Sequence, residues 1–446
     1  MPFSTLRRVL SEFPAYQWLW GLLYLENSKA AEAKTVPHSQ NLAITNHILD
    51  ILESYGKNCK TADGREQPNW LGTEKFFDMV SKQVAANQVV KMILPAFPWK
   101  SINTVDKVIG RLPDLGEVLA LARLNTMCKE IRKVYLPGAE VTIATDGLVF
   151  DDLVGISDED TWAYSEGLMS ILSSKGFSGI KMLRVMDILD LVKEEKMTKE
   201  LYLSLVETCR LKLFQGYAQM EEEVRDMIKT DPDTLMTYCG FIRFLETDLR
   251  YSPVAKNTLS GQQYRKCVKR VALGMMIRAE SFTKLIQDRC PGFVRLSIHP
   301  SSGAVKLSIP LIIQKSNEFP RTPWHCAIAV GIDGSYQTIH AKNARQTHNL
   351  IEVDGLPHYY REKSGLWDWE DDNAVFEPQY PNGMLVRPLR QTKGDSQFLQ
   401  VHHILKLRKL ASIYQGPIKV IGFANSMQVF PQRDSEQQVV QVQASL

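Results

Sequence analysis

The segment that decides the fold reads Leu94-Pro-Ala-Phe-Pro-Trp-Lys-Ser-Ile-Asn103. It follows directly on an apolar run, Val89–Leu94, which has the composition of a buried strand. Two prolines exclude helix and central strand from the segment, because each fixes φ and lacks an N–H donor. Open α/β sheets place their ligand sites in loops that directly follow a strand. We therefore expect a site where this strand ends.

The loop offers polar and cationic side chains to such a site. Lys100, Ser101 and Asn103 lie within it, and Arg111 follows in the motif Gly110-Arg-Leu-Pro-Asp114. A lysine in a stiff, partly apolar loop acts as a base or carbonyl-condensing amine if its pKa is lowered. It serves equally well as a fixed cation for phosphate. Read locally, the segment is also compatible with a Pro-rich connector that carries a solvated lysine.

Strand-like and helix-like patterns alternate on both sides of this loop. They are a strand at 89–94, a helix at 115–132, a strand at 141–145, a helix at 157–175 and a strand at 180–188. Asp114 and Glu117 have the spacing of a capping box at the start of the first helix. We predict an α/β fold with a Rossmann-like parallel sheet as its core. A GxGxxG motif is absent from the sequence, so a dinucleotide site is not predicted.

Changes of pattern along the chain predict four parts. After residue 291 apolar residues alternate with period two, which predicts hairpins at 294–311 and 325–340 and a C-terminal mixed or antiparallel sheet. Residues 364–395 have the composition of a long ordered loop. The predicted parts are an N-terminal helical segment (1–85), the α/β core with a helical extension (86–290), a C-terminal mixed α/β region completing the site (291–432) and a disordered tail (433–446).

Asp146 ends the predicted strand at 141–145 and precedes a glycine. The carboxyl end of a parallel strand is the ligand-facing edge of such a sheet. The carboxylate can therefore bind an amino group or transfer a proton. Turn chemistry alone also accounts for an Asp-Gly pair.

A second set of candidates lies in the C-terminal region. Arg295 and His299 stand two positions on either side of Ser297, so period two places all three on one strand face. Lys306 follows on the returning strand of the predicted hairpin. Burying such a cationic face without an anion costs free energy, so a buried face predicts a phosphate or carboxylate ligand. The alternative is that this face of the sheet is exposed to solvent. His325 heads the next predicted strand, and an imidazole moves protons near neutral pH.

Composition excludes several classes of protein. The net charge of +3 on 446 residues gives no electrostatic reason to expect nucleic acid as a partner. Seven scattered cysteines without a CxxC pair argue against a disulfide scaffold and a zinc finger, and favour a reducing, cytoplasmic location. Histidine and carboxylate spacings predict no metal site. The apolar stretch Phe13–Leu25 is too short for a transmembrane segment and is interpreted as a helix that packs on the protein body, with a peripheral membrane contact as the alternative.

Taken together and in this order, several motifs resemble the pyoverdine/dityrosine biosynthesis family, which comprises isocyanide (isonitrile) synthases and fungal dityrosine-pathway enzymes. The resemblance spans roughly residues 40–345 and rests on the combination, which is more specific than any one motif. The motifs are the proline loop 94–103, Gly110–Asp114, the run from Pro137 to Asp151 that contains Asp146-Gly147, Val294–Pro300, Lys306 and Thr322-Pro-Trp-His325.

The resemblance implies a synthase that condenses the α-amine of an L-amino acid with the ketone of ribulose-5-phosphate. Phosphate elimination and carbon–carbon cleavage then leave one sugar carbon on the nitrogen as an isocyanide. The sugar phosphate is a co-substrate, and the scheme needs no cofactor. The implied catalytic residues are Lys100, Asp146, His299 and His325. The implied substrate-binding residues are Ser101, Asn103, Arg111, Arg295 and Lys306.

Two alternatives stay open beside this function. A dityrosine-pathway enzyme of the same family yields a formamide, N-formyltyrosine, instead of an isocyanide. A non-catalytic scaffold protein of a biosynthetic cluster turns over no amino acid. The sequence contains no carrier-protein serine motif and no adenylation domain, so we expect a stand-alone synthase whose product passes to downstream tailoring enzymes. The amino acid itself is not specified by the sequence.

Overall fold

The computed structural model describes most of the chain between residues 38 and 431. The described ranges are 38–57, 70–192, 197–255, 260–313, 321–331, 335–363, 374–379, 383–388, 418–423 and 426–431. The chain divides into two compact units, Met1–Ile44 and Thr45–Leu446, and the sheets and the candidate site belong to the second. The predicted N-terminal apolar helix and the polar tail lie outside the described residues.

Eleven α-helices are named within the described ranges. They are α1 (His38–Tyr55), α2 (Thr73–Ala85), α3 (Leu115–Val134), α4 (Gly147–Val154), α5 (Asp158–Lys175), α6 (Val185–Ile188), α7 (Lys199–Gly216), α8 (Glu221–Thr230), α9 (Pro232–Asp248), α10 (Gly261–Arg289) and α11 (Ala341–Thr347). Short 3₁₀ turns span Leu249–Tyr251 and Pro323–His325.

The thirteen strands of the described ranges are also numbered in chain order. They are β1 (Val90–Pro95), β2 (Ala139–Thr145), β3 (Ile180–Arg184), β4 (Val294–Ser297), β5 (Leu307–Ser308), β6 (Ala327–Val330), β7 (Tyr336–Ile339), β8 (His348–Val353), β9 (Leu356–Glu362), β10 (Ala374–Gln379), β11 (Gly383–Pro388), β12 (Ile418–Phe423) and β13 (Ser426–Pro431).

The central sheet is parallel and has the strand order β3-β2-β1-β4-β5. This confirms the α/β class with a parallel sheet core. The chain adds β2 and β3 on one side of β1, and β4 and β5 on the other. A reversal of this kind opens a crevice at the carboxyl ends of the two strands that flank it, which here are β1 and β4. The proline loop leaves β1 at this position.

Burial explains why β1 is central. Met92, Ile93 and Leu94 are at most 1% exposed, as expected for a strand covered on both faces. Ile93 and Ala144 join one large apolar cluster that includes side chains of α4, α6, α7, α9 and α10. Helix α3 lies against β2, and the predicted capping box at Asp114 and Glu117 starts it. These contacts fix the sheet edge that carries the candidate site.

The hairpin predicted for 294–311 is wrong. Strands β4 and β5 run parallel, with Leu296 opposite Leu307, and the intervening residues 298–306 carry the chain back to the same end. Gly303 makes this return possible with a φ of +82°, and a Cβ there would lie 2.4 Å from Cβ of Trp70. Period-two alternation reports which residues share a face but not the direction of the strand, so the sequence pattern fitted either pairing.

The strand predicted for 180–188 ends four residues early. β3 stops at Arg184, and α6 begins immediately after it. The carboxylate of Asp187 accepts a hydrogen bond from the Arg184 backbone N–H at 2.7 Å, which satisfies a free donor at the start of the helical turn. A local cap therefore overrides the strand-like apolar pattern.

Two smaller sheets complete the described structure. β6 pairs with β7 as the predicted antiparallel neighbours and with β9 in parallel, in a sheet of order β7-β6-β9-β8. A four-stranded antiparallel sheet has the order β10-β11-β13-β12. Its strands β10 and β11 replace part of the loop predicted for 364–395. Within the described ranges, no helix combines the length and hydropathy that a membrane span requires.

Candidate active site

Lys100 lies in a sealed ionic cluster. Its side chain has no exposed surface, and its Nζ is 2.7 Å from Asp114 Oδ2 and 2.8 Å from Glu117 Oε2. The same Nζ donates a hydrogen bond to the Pro323 carbonyl at 3.0 Å. Burial by itself lowers the pKa of Lys100, but the two carboxylates outweigh it and hold the pKa well above its ordinary value. The lowered pKa considered for a catalytic lysine is therefore wrong.

The two carboxylates around Lys100 also accept hydrogen bonds from other groups. Asp114 accepts from the Gly116 N–H at 2.8 Å, and Glu117 accepts from the Asp114 N–H at 2.9 Å, which forms the capping box of α3. Tyr164 donates to the second oxygen of Glu117 at 3.0 Å. Burial raises the pKa of Glu117 to about 7. This cluster ties the proline loop to α3 and to the Pro323 turn, so we assign it a structural role.

Ser101 and Asn103 point toward helix α9 and are fully buried. Ser101 Oγ donates to Asp248 Oδ2 at 2.8 Å, and the Asn103 side-chain amide donates to the Thr247 carbonyl at 3.3 Å. The Asn103 side-chain oxygen accepts from the Asp106 N–H at 2.8 Å. Both side chains, predicted to bind substrate, are thus occupied in holding the loop onto the end of α9.

Asp248 connects the loop to the predicted catalytic histidine. Its carboxylate pairs with Lys107 through Oδ1, and its Oδ2 lies 3.5 Å from His325 Nδ1. Burial by itself raises the pKa of Asp248, but the neighbouring His325 ring and the ion pair with Lys107 outweigh it and hold the pKa at about 2. The His325 ring stacks at 4.5 Å from the Phe244 ring, with the Trp99 ring edge-on at 6.4 Å.

Asp146 lies where the sequence placed it, at the carboxyl end of β2 and the start of α4. Its side chain caps no helix N–H, and Oδ1 is buried without a hydrogen-bond partner. Burial raises the pKa of Asp146 to about 7, and the nearby positive charge of Arg295 opposes that rise. A buried carboxyl group with a free oxygen and a pKa near neutrality is suited to proton transfer.

Arg295 and Lys306 form the cationic side of the crevice. Arg295 makes no ion pair or hydrogen bond to the described residues, and its Nη1 is buried and unpartnered. Burial lowers the pKa of Arg295 to about 10, so the guanidinium is charged at neutral pH. Burial and the charge of Arg295 lower the pKa of Lys306. Although Lys306 precedes a parallel strand instead of lying in a hairpin, it still faces Arg295 closely enough for this effect.

His299 and Glu280 complete this group, which we call the cationic cluster: Asp146, Glu280, Arg295, His299 and Lys306. Burial lowers the pKa of His299 to about 3, and the charges of Lys306 and His325 contribute, so the ring is neutral near pH 7. Burial raises the pKa of Glu280 against the attraction of Lys306 and Arg295. Because the carboxyl pKa values are raised while Arg295 stays charged, the cluster favours an anionic ligand.

Arg111 does not join the cationic cluster. Its side chain is 59% exposed and forms an ion pair with Asp160 at the surface. Arg111, Trp99 and Ile156 border a cavity of about 120 Å³, which is smaller than a typical ligand pocket. The structure therefore separates Arg111 from Arg295 and Lys306, with which the sequence had grouped it.

Comparison with known proteins shows which family the chain belongs to. Residues 80–351 match the family model described as pyoverdine/dityrosine biosynthesis protein, and this range holds every residue of the cationic cluster as well as Lys100, Asp248 and His325. The chain belongs to the pyoverdine/dityrosine biosynthesis family.

Curated proteins that are similar to this chain are named isocyanide or isonitrile synthases. The chain is 36% identical over 425 residues to isocyanide synthase xanB of Aspergillus fumigatus, covering 92% of this chain and 54% of that protein. It is 33% identical over 297 residues to L-tryptophan isonitrile synthase AmbI2 of Fischerella ambigua, covering 66% of this chain and 84% of the relative. The chain therefore spans about half the length of the xanB relative.

A solved structure of the family shares the fold. The crystal structure of the PvcA protein from Pseudomonas aeruginosa superposes with a TM-score of 0.61 at 26% sequence identity. The match covers 72% of this chain and all of the PvcA chain. The chain thus shares its α/β fold with PvcA over the matched part.

Several residues of this family member's site were missed from the sequence. The sequence pattern could have identified Asp248, because this residue follows Phe241 and Leu245 at helical spacing and so lies on the buried apolar stripe of α9. An acidic residue on such a stripe requires a buried partner. Lys107 and Glu280 have no comparable local signal. Among the described residues, no group of three or more His, Cys, Asp or Glu side chains has an arrangement that holds a metal ion.

Proposed function

We propose that this family member is an isocyanide synthase that converts the α-amino group of an L-amino acid into an isocyanide. The isocyanide and isonitrile synthases among its relatives support this activity. One observation carries the proposal: Arg295, a cation without a hydrogen-bond partner, lies near Asp146, a carboxyl group whose pKa suits proton transfer. Such a pair suits a substrate that has both an anionic group and an amine.

The proposed one-carbon donor is ribulose-5-phosphate. Its phosphate is placed against Arg295 and Lys306, where charge-assisted hydrogen bonds replace the lost solvation of the two cations. Its ketone then receives the amine of the amino acid. In this scheme Asp146, His299 and His325 move protons, while Lys100 only holds the loop in place. The chemistry consists of condensation, elimination and carbon–carbon cleavage, for which the proposal invokes no cofactor.

The free cysteines agree with the proposed cytoplasmic location. Six cysteines of the described residues carry free thiols, four of them buried. Proteins of reducing compartments keep thiols in this form. We propose that the product leaves for separate tailoring enzymes in the same compartment.

The test is incubation of the purified protein with uniformly ¹³C-labelled ribulose-5-phosphate and each standard amino acid. We expect one amino acid to acquire a single labelled carbon by mass spectrometry and an isocyanide stretch in the infrared spectrum of fresh product. A formamide in fresh product, with no isocyanide stretch at any time, indicates the dityrosine-pathway activity. An absence of labelled product with every amino acid contradicts both activities and leaves the scaffold alternative.

A further inference from the structure

Asp248 is a buried carboxylate whose contacts exceed what packing requires. Its side chain is 3% exposed at the end of α9. Ser101 Oγ donates to Oδ2 at 2.8 Å, and Lys107 pairs with Oδ1. Lys107 also donates to the Phe244 carbonyl at 3.0 Å, which fixes the ammonium group in turn. Both carboxylate oxygens are therefore held in position by groups other than His325.

His325 presents one nitrogen to this fixed carboxylate. Its Nδ1 lies 3.5 Å from Asp248 Oδ2, just outside ordinary hydrogen-bond distance, and has no other partner. Catalytic hydrogen bonds are often long before substrate binds and shorten afterwards. Because the two ring nitrogens point in divergent directions, Nε2 is directed away from Asp248. Phe244 and Trp99 restrict rotation of the ring.

We propose that Asp248 is a positioning residue for His325: it keeps the proton on Nδ1 and leaves Nε2 unprotonated to face the substrate amine. This inference rests on the proposed function. In the step concerned, Nε2 removes one proton from the substrate ammonium group. The freed nitrogen lone pair attacks the sugar ketone, and the imidazolium that forms is stabilised by the Asp248 carboxylate. Nε2 returns this proton to the carbonyl oxygen and then carries a second proton from the nitrogen to the same oxygen, so that water leaves, a protonated imine remains and the imidazole is neutral again.

Charged groups around the ring agree with this assignment. Burial lowers the pKa of His325, Asp248 opposes the decrease, and Lys107 and Lys100 add to it, so the ring is neutral near pH 7. His299 is also close enough to interact with His325. Because the pKa of Asp248 is about 2, its carboxylate is ionised throughout the physiological range. An ionised acceptor next to a neutral imidazole fixes the tautomer with the proton on the nearer nitrogen.

The first experiment reads the tautomer without requiring turnover. Protein labelled with ¹⁵N-histidine is studied by NMR, and the His325 signals are assigned from their loss in a His325→Gln variant. In the wild type we expect Nδ1 to carry the proton at pH 7. In Asp248→Asn we expect mixed tautomers and a lower His325 pKa, whereas the exposed control Asp226→Asn changes neither. Protonation of Nε2 in the wild type overturns the inference even if Asp248→Asn does not fold.

The second experiment measures turnover. In Asp248→Asn, kcat should fall by about 100-fold, a common contribution of a positioned acid–base group. The acidic limb of its pH profile should move to lower pH, while KM for ribulose-5-phosphate stays within about twofold, since the phosphate site is separate. Ser101→Ala keeps the carboxylate, so we expect its limb to remain where it is in the wild type. An unchanged limb in a folded Asp248→Asn protein overturns the inference. If the wild type turns over no amino acid, the proposed function fails, and the NMR result stands separately.

Discussion

Replacing Lys100 by methionine tests whether this lysine is structural or catalytic. Methionine keeps most of the side-chain volume and removes only the ammonium group. In the structure that group neutralises Asp114 and Glu117 at 2.7 and 2.8 Å and satisfies the Pro323 carbonyl. Its loss leaves two carboxylates buried side by side with no cation between them.

The magnitude follows from this geometry. Removing one partner of a buried ion pair costs about 3–5 kcal/mol, because the remaining charge is left uncompensated. That is a large fraction of the total stability of a typical domain, about 5–15 kcal/mol. We therefore expect Lys100→Met to lower the free energy of unfolding by about 3–5 kcal/mol at pH 7. Lys133→Met, which removes an exposed lysine paired with Glu130, should change it by no more than about 1 kcal/mol.

The loss should depend on pH in a defined direction. Burial already raises the pKa of Glu117 to about 7, above its value in the unfolded chain, and removal of Lys100 raises it further. A carboxyl group of this kind destabilises the folded state above its unfolded pKa, and the penalty disappears as pH falls below that value. The difference between wild type and variant should thus be largest near pH 7 and small below about pH 4.

Urea unfolding followed by tryptophan fluorescence and circular dichroism measures the effect. Trp99 and Trp324 flank the lysine and the Pro323 carbonyl, so fluorescence also reports the local structure. Coincident transitions with both probes justify a two-state treatment. A Lys100→Met protein that unfolds within about 1 kcal/mol of wild type at pH 7, but has lost all turnover, would refute the structural role and restore Lys100 as a catalytic candidate.

Four further predictions concern the cationic cluster and its surroundings. Ribulose-5-phosphate at roughly 100 times its Kd should stabilise the wild type by about 2.7 kcal/mol, and thermal melting should show this gain abolished in Arg295→Met but kept in the exposed control Lys229→Met. Asp146→Asn should remove the limb of the kcat pH profile near pH 7 and raise stability above about pH 4, because the raised pKa of Asp146 destabilises the folded state above the unfolded pKa of the group, with the full penalty above about pH 7; urea unfolding at about pH 3 and pH 8 checks the sign. Arg111→Ala should leave kcat/KM within about threefold of wild type, since its ion pair is exposed, and a larger loss would return Arg111 to the substrate site. EDTA should leave turnover intact in a direct assay, and rescue of lost activity by one divalent ion would show a metal site.

Local sequence patterns were sufficient for the core of the fold. The apolar run before the proline loop predicts β1, and the spacing of Asp114 and Glu117 predicts the start of α3. Asp146 was located at a sheet edge from the strand that it ends. Each of these inferences depends on residues a few positions apart, where backbone geometry and side-chain periodicity act directly.

The candidate site depended on contacts that no local pattern encodes. The sequence indicated that Lys100 and Arg295 were cations of interest, but not that Lys100 is neutralised while Arg295 has no partner. Nor did it place Asp248 beside Ser101, which lies 147 residues earlier. Strand alternation also could not fix the direction of β5.

The sequence by itself determined most helices and strands of the parallel core, the edge of the sheet that carries the candidate site and the kinds of side chain available there. Only the tertiary structure decided which charges are paired, since pairing depends on distances between atoms from separate segments. For a buried ion, that pairing sets both the pKa and the energetic cost of its position. Two cations of similar appearance in the sequence thus differ in the fold: Lys100 is neutralised within a buried ionic cluster, whereas Arg295 has no ion pair or hydrogen bond to the described residues.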